Sequence, residues 1–196
     1  KFRAIGWNAR GYGNSKAINH TIDFSEFAKD LYRLTKHLRL EKINLCGHSM
    51  RGRIALDVAE RFPEIVNSLI LLNTFFTYDK KFSFKQRQGF LLNRRKLLIE
   101  DGLTLEEFGL KIILQMLGKN ASGATKLKIL NTRCSLNISS YINAVESMVM
   151  YEKVCNLESL SVPTLILAGA RDTIPPPPAI ALKMNDRIEN SVLIMI

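Results

Sequence analysis

The stretch from Lys42 to Phe62 constrains the fold of this chain most tightly. Lys42 to Cys46 reads as a strand and Gly47-His48-Ser49-Met50-Arg51-Gly52 as a tight turn. Ile54, Ala55, Val58, Ala59 and Phe62 then recur at helical spacing until Pro63 ends the run. A strand that turns this sharply into a helix leaves the side chain at the turn exposed, here the Ser49 hydroxyl. The following backbone N–H, of Met50, then sits at the helix N-terminus, where an anion is stabilised. A G-x-S turn that merely joins strand to helix, with no chemistry, is the alternative.

The rest of the chain repeats the same alternation. Phe2 to Trp7 reads as a buried strand ending in the glycine-rich turn Arg10 to Ser15. Asp23 and Glu26 make a capping-box-like start for a helix carrying Phe24, Phe27, Ala28, Leu31, Leu34 and Leu38 on one face. Ser68 to Thr74 is almost wholly apolar, as expected of a strand covered by helices on both faces. Pro163 to Ala168 is a further strand, Gly169 to Asp172 a turn, Ala179 to Arg187 a helix and Ser191 to Ile196 a last strand. Strands separated by helices predict an α/β fold with a mostly parallel sheet flanked by helices. Between Phe75 and Ser161 only helical patterns occur, one opened by Thr104 with Glu107 and filled by Phe108, Leu110, Ile113, Leu114 and Leu117. The expected division is a core part over 1–75, a helical insertion over 76–161 and a second core part over 162–196.

Composition narrows the function classes. A chain of 196 residues, 46% of them hydrophobic, can bury one core, and no apolar run approaches the roughly 20 residues of a membrane helix. The net charge of +10 raises nucleic acid or an anionic membrane as a partner. Yet the cations are scattered, the densest group is Arg94-Arg95-Lys96 within an amphipathic segment, and no aromatic residues interleave with them. Neither nucleic acid nor membrane is therefore expected. Cys46, Cys134 and Cys155 form neither an even disulfide framework nor a metal-ligand spacing, which fits a reducing cytoplasm.

Three segments carry a resemblance: WNARGYGNS at 7–15, LCGHSMRG at 45–52 and PTLILAGARDTIPP at 163–176. In order and spacing they resemble the α/β-hydrolase superfamily, within the group of capped esterases, enol-lactonases and C–C hydrolases that share a G-H-S-M-G-G turn. The resemblance implies a partial α/β-hydrolase fold with a helical cap insertion. It implies Ser49 as nucleophile, Asp172 as triad acid and the Met50 N–H as an oxyanion donor, with His48 and Arg51 as neighbours of the site. A serine hydroxyl attacks only after a base removes its proton, and a carboxylate holds that base in one tautomer. The implied activity is hydrolysis of an ester, lactone or related acyl substrate, a small molecule with an apolar portion, and neither metal nor organic cofactor is implied. For Asp172 a plain loop aspartate capping the next element is the alternative. The apolar side chains Phe108, Ile112, Ile113, Met116, Leu117, Met148 and Met150 fit a substrate pocket and a simple core equally well.

The sequence departs from the family pattern in five respects. The superfamily's first strands, the loop giving a second oxyanion donor and the histidine segment behind the last strand are not found within these residues. His20, His37 and His48 are poor substitutes for the base. Loss of one oxyanion donor costs about 100- to 1,000-fold in turnover, so impaired hydrolysis is expected. Asn8 replaces the usual Asp and keeps a carbonyl acceptor for the turn. Arg51 replaces the usual Gly, and helical spacing puts it near the middle of the apolar stripe, aimed at the sheet. That position predicts either a distorted turn or an arginine drawn to its mouth. A catalytically inactive homologue that binds a ligand or partner through the same cleft, and a truncated product without a function, are the rival readings.

Overall fold

A computed structural model describes residues 2–78, 83–118, 120–134, 137–172 and 178–196. In chain order its elements are α1 Ser25–His37, β1 Ile43–His48, α2 Met50–Arg61, β2 Val66–Leu72, α3 Phe84–Arg95, α4 Leu105–Met116, α5 Gly123–Cys134, α6 Ile138–Met150, β3 Thr164–Ala168, α7 Pro178–Arg187 and β4 Ser191–Met195. They fall into two compact units, one of residues 24–83 with 151–196 and one of residues 1–23 with 84–150.

The first unit is a four-stranded parallel sheet in the order β1-β2-β3-β4. The apolar run read between 68 and 74 supplies its centre, with Val66, Leu69 and Leu71 buried on β2 and Ile166 and Ala168 on β3. Helix α2 packs on β1 and β2 and is covered in turn by α1, so it is buried around most of its circumference. Helix α7 packs on β3 and β4. Register brings the strand ends level: His48 lies opposite Leu72, and Leu72 opposite Leu167. Residues immediately after β1, β2 and β3 therefore emerge along one edge of the sheet, where ligand sites of open α/β sheets form.

One sequence expectation fails at the N-terminal end. Phe2 to Trp7 forms no strand, and Phe2 is 92% exposed. An extended run gains its ladder hydrogen bonds only from a neighbouring strand, and among the described residues none pairs with it. Phe24, just before helix α1, already has helical backbone angles, φ −59° and ψ −29°. Burial fixes that helix entry, the Phe24 ring packing 5.5 Å from Phe27 and 5.0 Å from Tyr151.

The second unit is helical. Leu91, Leu98, Phe108, Ile142, Val145 and Val149 form its core. The Thr104 and Glu107 pair closes a reciprocal capping box, with the Thr104 N–H donating to Glu107 Oε2 at 2.9 Å and the Glu107 N–H to Thr104 Oγ1 at 3.2 Å. Phe108 belongs to this core rather than to an open pocket wall, and its burial turns Leu110, about 200° further round the helix, out to 45% exposure. Met150 is exposed as well. The side chains of Ile112, Ile113, Leu114 and Met116 lie outside the described residues. The segment before residue 24 joins this unit through α6: Ser140 Oγ accepts the Ile18 N–H at 2.9 Å, and Asn143 donates to the Ile18 carbonyl at 2.9 Å. In the turn at 8–15, Gly11 and Gly13 have positive φ, and the Asn8 backbone carbonyl accepts the Ser15 hydroxyl at 2.6 Å. No helix among the described residues is long and apolar enough to cross a membrane.

Candidate active site

At the end of β1 the chain reverses on a single residue. Ser49 has φ 54° and ψ −122°, a conformation that costs a non-glycine residue about 1–3 kcal/mol. Its neighbours hold it there. The Ser49 N–H donates to the Leu72 carbonyl at 3.0 Å, continuing the β1–β2 ladder by one residue. The Ser49 carbonyl accepts three donors, the Gly52 N–H at 3.0 Å, the Arg53 N–H at 3.2 Å and the Thr74 hydroxyl at 2.7 Å. Met50, the first residue of α2, has an N–H with no acceptor inside its helix, so the helix start presents that donor beside the serine.

The tight reversal requires two glycines. A Cβ on Gly47 would lie 2.5 Å from the Arg51 carbonyl oxygen, and one on Gly52 would lie 2.5 Å from the Thr74 Cβ. Position 51 carries no such restriction, which corrects the expectation that Arg51 points at the sheet. Arg51 is exposed on the first turn of α2. The first turn of α2 lies at the sheet edge, so residue 51 reaches solvent while Gly52 meets the residues after β2.

The buried arginine is instead Arg53, which the sequence reading missed. It is 2% exposed and donates to the Lys153 carbonyl at 2.7 Å. Asp57, fully buried one turn later, has Arg53 at 3.7 Å, Lys153 at 3.6 Å and Arg61 at 3.5 Å, and it accepts the Tyr151 hydroxyl at 2.7 Å. Burial first, and then the bond to Asp57, push the Tyr151 phenol up to about 12 against the opposing pull of Arg61. The i, i+4 spacing of Arg53, Asp57 and Arg61 on α2 was the available signal.

The acid turn follows β3. The Asp172 N–H donates to the Gly169 carbonyl at 3.1 Å, and the Gly169 N–H donates to Asn73 Oδ1 at 2.8 Å. Residues 173–176 of the motif that carries Asp172 lie outside the described residues. His48 is exposed at the end of β1, and its ionisation responds to both neighbouring charges. Loss of solvation lowers its pKa below the ordinary 6.5, the Arg51 charge lowers it further, and Asp172 opposes both. The structure therefore brings His48, Ser49, Met50, Arg51 and Asp172 to one sheet edge. His20 and His37 are exposed on the loop before α1 and on α1. Cys46 is an exposed free thiol, and Cys155 is a buried one pushed up to about 12 chiefly by burial. Among the described residues no group of three or more His, Cys, Asp or Glu could hold a metal ion.

A sequence profile for the alpha/beta hydrolase fold matches residues 1–196. The AB hydrolase superfamily protein YisY of Bacillus subtilis is 31% identical over 181 residues, covering 89% of this chain and 66% of that protein. The 3-oxoadipate enol-lactonase 2 of Acinetobacter baylyi is 23% identical over 176 residues, covering 89% of this chain and 63% of that protein. The chain thus spans a little under two thirds of the length of these two relatives. A thermophilic esterase from Thermogutta terrifontis superposes with a TM-score of 0.80 at 26% identity, over 96% of this chain and 69% of that one.

Proposed function

The chain belongs to the alpha/beta hydrolase fold family, and on that footing we propose that it is a serine hydrolase of esters, lactones or related acyl compounds. The observation that carries this is the backbone of Ser49, held at φ 54° between a strand and a helix start by three donors to its carbonyl. Strain maintained at one half-buried serine is what a nucleophile needs and a plain connection does not. The Ser49 Oγ attacks the acyl carbonyl while its proton passes to a base. The negative charge that develops on the carbonyl oxygen is met by the Met50 N–H and the positive end of α2. Collapse of that intermediate expels the alcohol or enol, which takes up the proton, and water then releases the acid from the acyl-enzyme.

Asp172 is the carboxylate that orients the base. None of His20, His37 and His48 is assigned as that base. Residues 76–161 are read as the helical insertion of a capped enzyme, acting in the cytoplasm on a small substrate with an apolar portion. The test is labelling of the protein, as its gene encodes it, by a fluorophosphonate probe, with peptide mapping of the adduct. A label on Ser49 that disappears in Ser49→Ala is expected. A folded protein that takes no label at Ser49, turns over no activated ester and yet shows a ligand-induced thermal shift that survives Ser49→Ala would establish the inactive binding homologue instead.

A further inference from the structure

The two residues after β2 contact both halves of the candidate site. Asn73 has φ 39°, a left-handed conformation that asparagine tolerates better than most residues, and it turns its side chain toward the end of β3. Its backbone N–H donates to the Leu167 carbonyl at 2.9 Å, and its Oδ1 accepts the Gly169 N–H at 2.8 Å. A Cβ built on Gly169 would lie 3.6 Å from the Asp172 Cβ and 3.8 Å from Asn73 Nδ2, so the three residues pack around one point. Thr74, buried, reaches the other way. Its hydroxyl donates to the Ser49 carbonyl at 2.7 Å, and its Cβ fills the space where Gly52 lacks a side chain.

We infer that Asn73 and Thr74 are positioning residues that fix the nucleophile turn and the acid turn relative to each other. The inference rests on the reading of Ser49 as nucleophile and Asp172 as acid. The physical basis is a short chain of directional bonds, from the Ser49 carbonyl through Thr74 and Asn73 to Gly169 and the Asp172 turn. Either turn alone could be held by its own strand. Register between a nucleophile and the group that orients its base must be kept to a fraction of an ångström, because a misplacement of about 1 Å costs about 100-fold in rate.

Four substitutions separate this role from plain stability. Thr74→Val keeps the γ-methyl packing on Gly52 and removes the donor, and Thr74→Ser keeps the donor. Asn73→Gly keeps the positive φ and removes the acceptor, and Asn73→Asp keeps the acceptor. The readouts are the rate of Ser49 labelling by a fluorophosphonate, the kcat and KM for an activated ester, and the melting temperature. Thr74→Val and Asn73→Gly are expected to slow labelling and kcat about 10- to 100-fold with KM and melting temperature little changed, and Thr74→Ser and Asn73→Asp to recover most of the loss. Should Thr74→Val fail to fold, the asparagine pair decides. Wild-type labelling that both disruptive variants leave unchanged, or a loss that the conservative variants do not recover, overturns the positioning role alone. A wild type that labels no better than Ser49→Ala overturns the nucleophile reading, and the positioning role with it.

Discussion

Replacing Asp57 with asparagine tests how helix α2 is held. Asp57 is fully buried, with three cations at 3.5 to 3.7 Å and the Tyr151 hydroxyl at 2.7 Å. At an effective dielectric near 20, each such ion pair is worth roughly 4–5 kcal/mol of attraction, most of it offset by the several kcal/mol that desolvating each ion costs. Asp57→Asn keeps the shape and the Tyr151 bond but leaves the Arg53 guanidinium, 2% exposed, without a countercharge. Removing one partner of a buried pair costs about 3–5 kcal/mol. With a urea m-value near 2 kcal/mol/M, the unfolding midpoint should fall by about 1.5–2.5 M at constant slope. The double variant Arg53→Met with Asp57→Leu removes both buried charges and should regain most of that loss, since apolar replacement of a buried pair is close to neutral. A midpoint shift under about 0.5 M for Asp57→Asn, or a double variant no more stable than the single one, would refute this account of the helix.

Three further outcomes are expected. Gly52→Ala places a Cβ 2.5 Å from the Thr74 Cβ, so thermal stability and Ser49 labelling should both fall, whereas Gly89→Ala, with open space at the Cβ inside α3, should gain up to about 1 kcal/mol in a urea melt. His48 binds its proton less readily when folded than its ordinary 6.5 allows, so the unfolded state takes up more protons as pH falls through that value, and stability drops on the acid side. Urea melts of wild type and His48→Gln should diverge below about pH 6.5 with the variant losing less, and an NMR titration of Arg51→Gly should show the His48 pKa rising toward 6.5; parallel curves or an unmoved titration would sink this reading. Thr104→Ala removes the capping hydroxyl at the start of α4 and should cost about 1 kcal/mol by chemical denaturation, with no effect on labelling.

Much of the architecture was legible from local pattern. The strands β1 to β4 and the helix between β3 and β4 lie within about two residues of where apolar runs and turn residues put them, which is the usual uncertainty of element ends. The Thr104 and Glu107 box was readable because both partners lie three residues apart and bond to each other. What escaped depended on neighbours distant in sequence. Phe2 to Trp7 has the composition of a strand, but no strand among the described residues pairs with it. The entry to helix α1 also rests on Phe24 packing on Tyr151, more than a hundred residues away. Helical spacing alone gave Arg51 the inward position, while the sheet edge frees that residue and leaves Arg53 inside, where the Lys153 carbonyl and Asp57 receive it. Asn73 and Thr74 left no signal in their own segment, since their partners are on two other strand ends.

The two glycines of the serine turn have a consequence for how such sites are recognised. The steric demand falls on positions 47 and 52, two before the serine and three after it, and not on position 51. A pattern search that insists on glycine two places after the serine would reject this chain, although its backbone makes the same reversal. A search phrased as the contact itself, a residue without a Cβ facing the second residue beyond the next strand's end, would accept it. Position 51 is then free to vary, and relatives with a charged or bulky residue there need not be set aside as damaged.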